Sequence, residues 1–104
     1  MNMDYKTELE NLISIVLQEG ASDLHLTADR NPTIRISGVL MSLVKKPIYT
    51  NKDVAGLTFE LLGDKNKQIF IENKDIDFSY SSKDGIRFRG NAFYQRGLIG
   101  CALR

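Results

Sequence analysis

Ile86-Arg87-Phe88-Arg89-Gly90-Asn91-Ala92-Phe93-Tyr94-Gln95-Arg96-Gly97-Leu98-Ile99-Gly100-Cys101-Ala102-Leu103-Arg104 is the stretch that decides the fold. Apolar and polar residues alternate up to Arg96-Gly97, and the alternation resumes beyond it, as in two strands of a hairpin. A two- or four-residue loop centred on Arg96-Gly97 sets Arg89 directly opposite Arg104. A three-residue loop would shift the register by one and break that pairing. Directly opposed residues share a face with Cβ atoms about 5 Å apart, where two like charges repel. No carboxylate within the hairpin relieves them, so an anion belongs beside the pair.

Arg87 and Asn91 continue the face that carries Arg89. A solvated outer sheet face is the plain reading of such a row. Two features favour a phosphate-facing role instead. Arginine suits planar, multidentate contact with phosphate better than lysine does. Gly90 and Gly100 leave room for a backbone or a ligand to approach.

Outward from the hairpin, the chain offers four further strands and several helices. Residues 4–19 carry an apolar stripe at Leu9, Leu12, Ile13, Val16 and Leu17, with Asp4 as N-cap and Gly20 as stop. Leu24 and Leu26 alternate with Asp23, His25 and Thr27 in a strand over 21–27. Strands follow over 33–37 and 39–44, joined by Ser37-Gly38. Thr50, with Asp53 three residues on, opens a helix that ends at Gly63. A short third helix is expected over 64–73, anchored by Ile69 and Phe70. Ile76, Phe78 and Tyr80 mark the next strand, and Lys83-Asp84-Gly85 turns the chain into the hairpin. The order α-βββ-αα-βββ predicts an α+β fold, with a five- or six-stranded antiparallel sheet and three helices.

Composition narrows the function. The 104 residues suit one domain, and a 42% hydrophobic, 26% charged content excludes disorder. A formal net charge of +1 gives no bulk attraction to nucleic acid or membrane. No apolar run reaches the roughly 20 residues of a membrane helix. One cysteine and one histidine exclude an internal disulfide and Cys/His metal spacing. Cys101 reads as a small buried apolar residue. None of the eight glycines precedes a lysine, so no P-loop is present. Asp23 and His25 stand two apart on one strand face and read as a structural polar pair rather than an acid-base couple.

Several of these segments resemble the secretion and pilus ATPase superfamily. Ala21-Ser22-Asp23-Leu24-His25-Leu26 is similar to its Ala-Ser-Asp-hydrophobic-His-hydrophobic element. Pro32-Thr33-Ile34-Arg35-Ile36-Ser37-Gly38-Val39-Leu40 resembles the strand-turn-strand that follows. Ile76-Asp77-Phe78-Ser79-Tyr80 and the run from Arg87 to Gly97 resemble the retraction-type branch. The resemblance implies a PAS-like N-terminal domain preceding a RecA-like motor in a ring-shaped hexamer that hydrolyses ATP and drives pilus disassembly. It implies that Arg89 and Arg104 approach the nucleotide phosphates as catalytic residues. Arg87 and Arg96 stand with them as nucleotide-binding candidates.

The chain stops at Arg104, where the superfamily continues into a linker and a motor. Residues 1–104 are therefore expected to be the N-terminal domain alone, without hydrolytic activity. ATP and Mg²⁺ are expected in the full-length protein and neither bound to this fragment; no metal ligands are expected here. The implied partners are the protein's own motor domain, neighbouring subunits and the pilus machinery at the cytoplasmic side of the inner membrane, not nucleic acid. An assembly or type II secretion ATPase domain, or a PAS-like ligand-binding or interaction module, are the competing readings.

Overall fold

The computed structural model describes residues 3–104. Helix α1 spans Tyr5–Glu19, strands β1, β2 and β3 span Asp23–Thr27, Thr33–Ile36 and Val39–Ser42, and helix α2 spans Asn51–Asn73. Strands β4, β5 and β6 follow at Asp75–Ser81, Arg87–Gln95 and Leu98–Leu103. All six strands form one antiparallel sheet in the order β3-β2-β1-β6-β5-β4. The closing strand β6 thus lies at the centre, beside β1, and α2 carries the chain from one edge of the sheet to the other. Among the described residues no helix is long and apolar enough to cross a membrane.

Local chemistry explains the element ends. The Asp4 carboxylate accepts from the Thr7 N–H and caps α1, while Gly20 closes it in the left-handed region at φ 64°. Thr50 and Asp53 form a reciprocal capping box at the start of α2. Ser37-Gly38 and Arg96-Gly97 have positive φ at both positions, as a two-residue type I′ hairpin turn requires.

One core lies between the helices and one face of the sheet. Leu9, Leu12, Ile13 and Val16 of α1 and Val54, Leu57, Leu61, Leu62 and Phe70 of α2 pack with Leu24, Leu26, Ile34, Phe78, Phe88, Ala92, Ile99, Cys101 and Leu103 of the strands. Phe70 stacks on Tyr94 with ring centroids 4.8 Å apart. Leu17 was expected in the apolar stripe but is 42% exposed, because it lies at the margin of the helix face that meets the core. Ile69 likewise leaves Phe70 as the buried anchor of its segment.

Among the described residues two helical spans accompany the sheet, and the second consists of two helical segments that meet at Gly63. Residues 64–73, expected as a short third helix, are helical and follow Gly63 within the span of α2. Gly63, at φ 72° and ψ 173°, kinks it from within. A glycine adopts that backbone without a Cβ penalty, and it interrupts the helical geometry at the residue where the sequence placed a helix end.

The loop before α2 is tied to both helices. Glu8 accepts from Lys46 Nζ at 2.9 Å and from the hydroxyl of the fully buried Tyr49. The Tyr5 hydroxyl donates to Asp53 at 2.9 Å. These bonds hold α1 against the start of α2.

Candidate functional site

The β5–β6 register pairs Gly90 with Leu103, and the backbones of Arg89 and Arg104 exchange both N–H···O bonds, at 3.0 and 2.7 Å. The two arginines therefore face each other directly, as a two-residue loop requires. Asn51, at the start of α2, pins that loop. Its Oδ1 accepts from the Ile99 N–H at 2.9 Å and its Nδ2 donates to the Gly97 carbonyl at 3.4 Å. Nothing in the local pattern marked Asn51, whose partners lie more than forty residues away. The paired N–H and carbonyl of Arg104 carry the ladder one residue beyond β6.

Arg89 and Arg104 lie on the sheet face away from the helices and are exposed. Together with Asp77, Phe78, Ser79, Gly90, Asn91 and Ala102 they line an open groove of about 780 Å³. Among the described residues neither arginine makes an ion pair. Arg87 is exposed on the same face, opposite Ser81. Arg96 occupies the turn at the other end of the hairpin. It lies seven positions from Arg89 along the chain, about 24 Å at 3.4 Å per residue. The fold thus gathers Arg87, Arg89 and Arg104 at one end and leaves Arg96 apart.

The hairpin alone contains no carboxylate, but its neighbours supply two. The β1–β6 register, Leu24 opposite Leu103, sets Asp23 beside Arg104. Asp23 Oδ2 lies 3.4 Å from Arg35 Nε and 3.4 Å from His25 Nε2. Its side chain is 12% exposed. Burial opposes its ionisation, yet the Ser22 hydroxyl, the charges of His25 and Arg104, and Arg35 outweigh that and hold its carboxyl below the ordinary range. Among the described residues His25 Nε2 has no hydrogen-bond partner, so the pair is a packed polar contact. On the other side, Asp77 stands opposite Asn91. Asn91 Nδ2 donates to Asp75 Oδ1 and Asp77 Oδ1, both at 2.9 Å, and to the Ile76 carbonyl at 3.3 Å.

Gly90 and Gly100 do not leave open space for a ligand. A Cβ on Gly90 would lie 2.4 Å from Cζ of Phe78, its direct partner on β4. A Cβ on Gly100 would lie 2.4 Å from Cζ of Phe93, its direct partner on β5. Each glycine seats the ring opposite it.

Burial pushes the Cys101 thiol up to about 12, and the thiol is enclosed in the core. Among the described residues no group of three or more His, Cys, Asp or Glu could hold a metal ion.

No protein-family model matches the chain. It is 34% identical over 100 residues to the type IV pilus ATPase PilU of Pseudomonas aeruginosa, a match covering 93% of the chain and 25% of PilU. It is 34% identical over 97 residues to the type IV pilus retraction ATPase PilT of the same organism, covering 93% of the chain and 28% of PilT. Its fold superposes on a crystal structure of the pilus retraction motor PilT with bound ADP at a TM-score of 0.84 and 35% identity, over 91% of this chain and 28% of that one. The chain therefore spans only about a quarter of the length of these relatives. Over nearly its whole length, in sequence and in fold, the chain is homologous to the N-terminal region of the PilT and PilU pilus ATPases.

Proposed function

We propose that this chain is the PAS-like N-terminal domain of a pilus retraction ATPase. In this reading Arg89 and Arg104 meet the phosphates of a nucleotide held by a RecA-like motor domain of the same protein. The observation that carries it is the arginine pair itself: two arginines directly opposed in the ladder on an exposed face, lining a groove, with no ion-pair partner among the described residues. Such a pair suits the multidentate, doubly charged surface of a phosphate chain. Arg87 extends the positive end and assists binding. Arg96 is too distant to reach the same phosphate and instead suits a contact at the opposite end of the hairpin.

ATP supplies the transferable phosphoryl group when bound, and Mg²⁺ is held by the motor rather than by this domain. Arg89 and Arg104 neutralise charge spread over the phosphoryl oxygens, a role worth on the order of 10³–10⁵ in rate for arginine fingers. They lie on a domain separate from the P-loop, so hydrolysis requires closure of the two domains. Closure couples hydrolysis to rigid-body motion. In a homohexameric ring at the cytoplasmic face of the pilus machine, that motion becomes work on the pilus. By itself the domain is not an enzyme.

The test is ATP hydrolysis by the full-length protein carrying Arg89→Ala or Arg104→Ala. Each variant is expected to lose at least about a hundredfold in kcat. Near-normal hydrolysis in both sinks the role.

A further inference from the structure

The arginine pair is flanked by carboxylates that could quench it. Asp23 stands beside Arg104 across the β1–β6 ladder. Asp77 stands one pair along from Arg89, since Ser79 is opposite Arg89 and Asp77 opposite Asn91, and both line the same groove. Diagonal neighbours of this kind lie about 7–8 Å apart, within reach of long side chains. Among the described residues neither carboxylate forms an ion pair with Arg89 or Arg104, and each has another partner.

Asn91 holds Asp77, dividing its amide donors between Asp77 and Asp75 at 2.9 Å each. Arg35 holds Asp23, with Nε 3.4 Å from Oδ2. Arg35 is itself anchored, since its guanidinium donates to the Gly38 carbonyl at 3.0 Å in the adjoining turn. The two holders lie on different strands, Asn91 on β5 beside Arg89 and Arg35 on β2 beyond β1.

We propose that Asn91 and Arg35 are positioning residues that hold Asp77 and Asp23 off Arg89 and Arg104, so that both guanidiniums stay open to a phosphate group. This inference rests on the phosphate-facing reading above and adds the residues that keep the site available. Loss of either holder lets the freed carboxylate form an internal ion pair, with which a phosphate must then compete.

The test uses the ¹⁵N-labelled chain, titrated with inorganic pyrophosphate while the arginine Nε–Hε signals are followed by NMR. The wild type is expected to give saturable shifts at Arg89 and Arg104. Asn91→Leu and Arg35→Gln are each expected to weaken binding about two- to five-fold, the strength of one exposed ion pair. Asp77→Asn should restore affinity in the Asn91→Leu background, and Asp23→Asn in the Arg35→Gln background. Each Asp→Asn change should matter less in the wild-type background than in its paired variant. That coupling is something a merely structural role for Asn91 or Arg35 does not produce.

Unchanged affinity in both single variants overturns the inference. So do equal effects of the Asp→Asn changes in the two backgrounds, while wild-type binding leaves the phosphate-facing reading standing. Absence of saturable binding in the wild type overturns this inference, while the phosphate-facing reading, in which the motor domain holds the nucleotide, is decided by hydrolysis in the full-length Arg89→Ala and Arg104→Ala variants.

Discussion

Gly90→Ala tests whether the glycine in the Arg-Phe-Arg-Gly-Asn strand serves the fold or a ligand. The new Cβ would lie 2.4, 2.7 and 2.8 Å from three atoms of the Phe78 ring. Carbon atoms pack best at about 3.5–4.0 Å, so the ring must retreat by an ångström or more. Phe78 is 7% exposed and enclosed by the core, which leaves it little room. Overpacking of this kind costs about 1–3 kcal/mol. Gly90 does not lie in the left-handed region, so alanine adds no backbone strain and returns about 0.5–1 kcal/mol by stiffening the unfolded chain. The net expectation is a destabilisation of about 1–2 kcal/mol. For a domain of about this size that lowers Tm by roughly 5–15 °C.

Thermal and urea unfolding followed by circular dichroism reads the change directly. Phe78→Leu shortens the obstructing side chain. Against that background Gly90→Ala should be neutral or slightly stabilising, so the two substitutions couple. An equal cost in both backgrounds refutes the ring-seat argument. An unchanged Tm together with lost pyrophosphate binding would return Gly90 to the role of a ligand-approach site.

Two further outcomes follow from the ionisable groups. Burial raises the Asp53 carboxyl, but the Thr50 N–H, the Tyr5 hydroxyl and the Thr50 hydroxyl together lower it below its ordinary value. Its stabilisation is therefore fully present above the unfolded pKa of about 3.9 and is lost as pH falls through the lower folded value. The Tm gap between wild type and Asp53→Asn should be constant from pH 7 to about 5 and should narrow in more acidic buffer; a gap that widens with acid contradicts this. The Cys101 thiol, pushed up to about 12 inside the core, should resist a thiol-specific reagent at pH 8 in the native chain and react on addition of denaturant. Rapid labelling of the folded chain would contradict its burial.

Much of the architecture was legible because it is written in short-range chemistry. The Asp4 cap, the Gly20 stop, the Thr50–Asp53 box and the two turns with paired positive φ each depend on residues within four positions of one another. Strand alternation depends on nothing but the next residue. The helix count was less legible. Gly63 signals the break that the backbone makes there, but how closely the helical segment after it follows the one before depends on how both pack on the sheet. Leu17 belongs to the apolar stripe by spacing and escapes burial by position.

The candidate site divides in the same way. The opposition of Arg89 and Arg104 follows from a loop length and the alternation of a single hairpin, so the sequence by itself determined that the two guanidiniums share a face and a place along it. The placement of Asp23 beside Arg104 and of Asp77 near Arg89 depends on which strands border the hairpin. That order follows from α2 carrying the chain across the sheet and from β6 entering beside β1. The filling of the Gly90 and Gly100 gaps by Phe78 and Phe93 depends on the same registers. Only the tertiary structure decided them, because sheet neighbours are chosen by burial of whole faces, a sum over contacts between segments far apart in the chain.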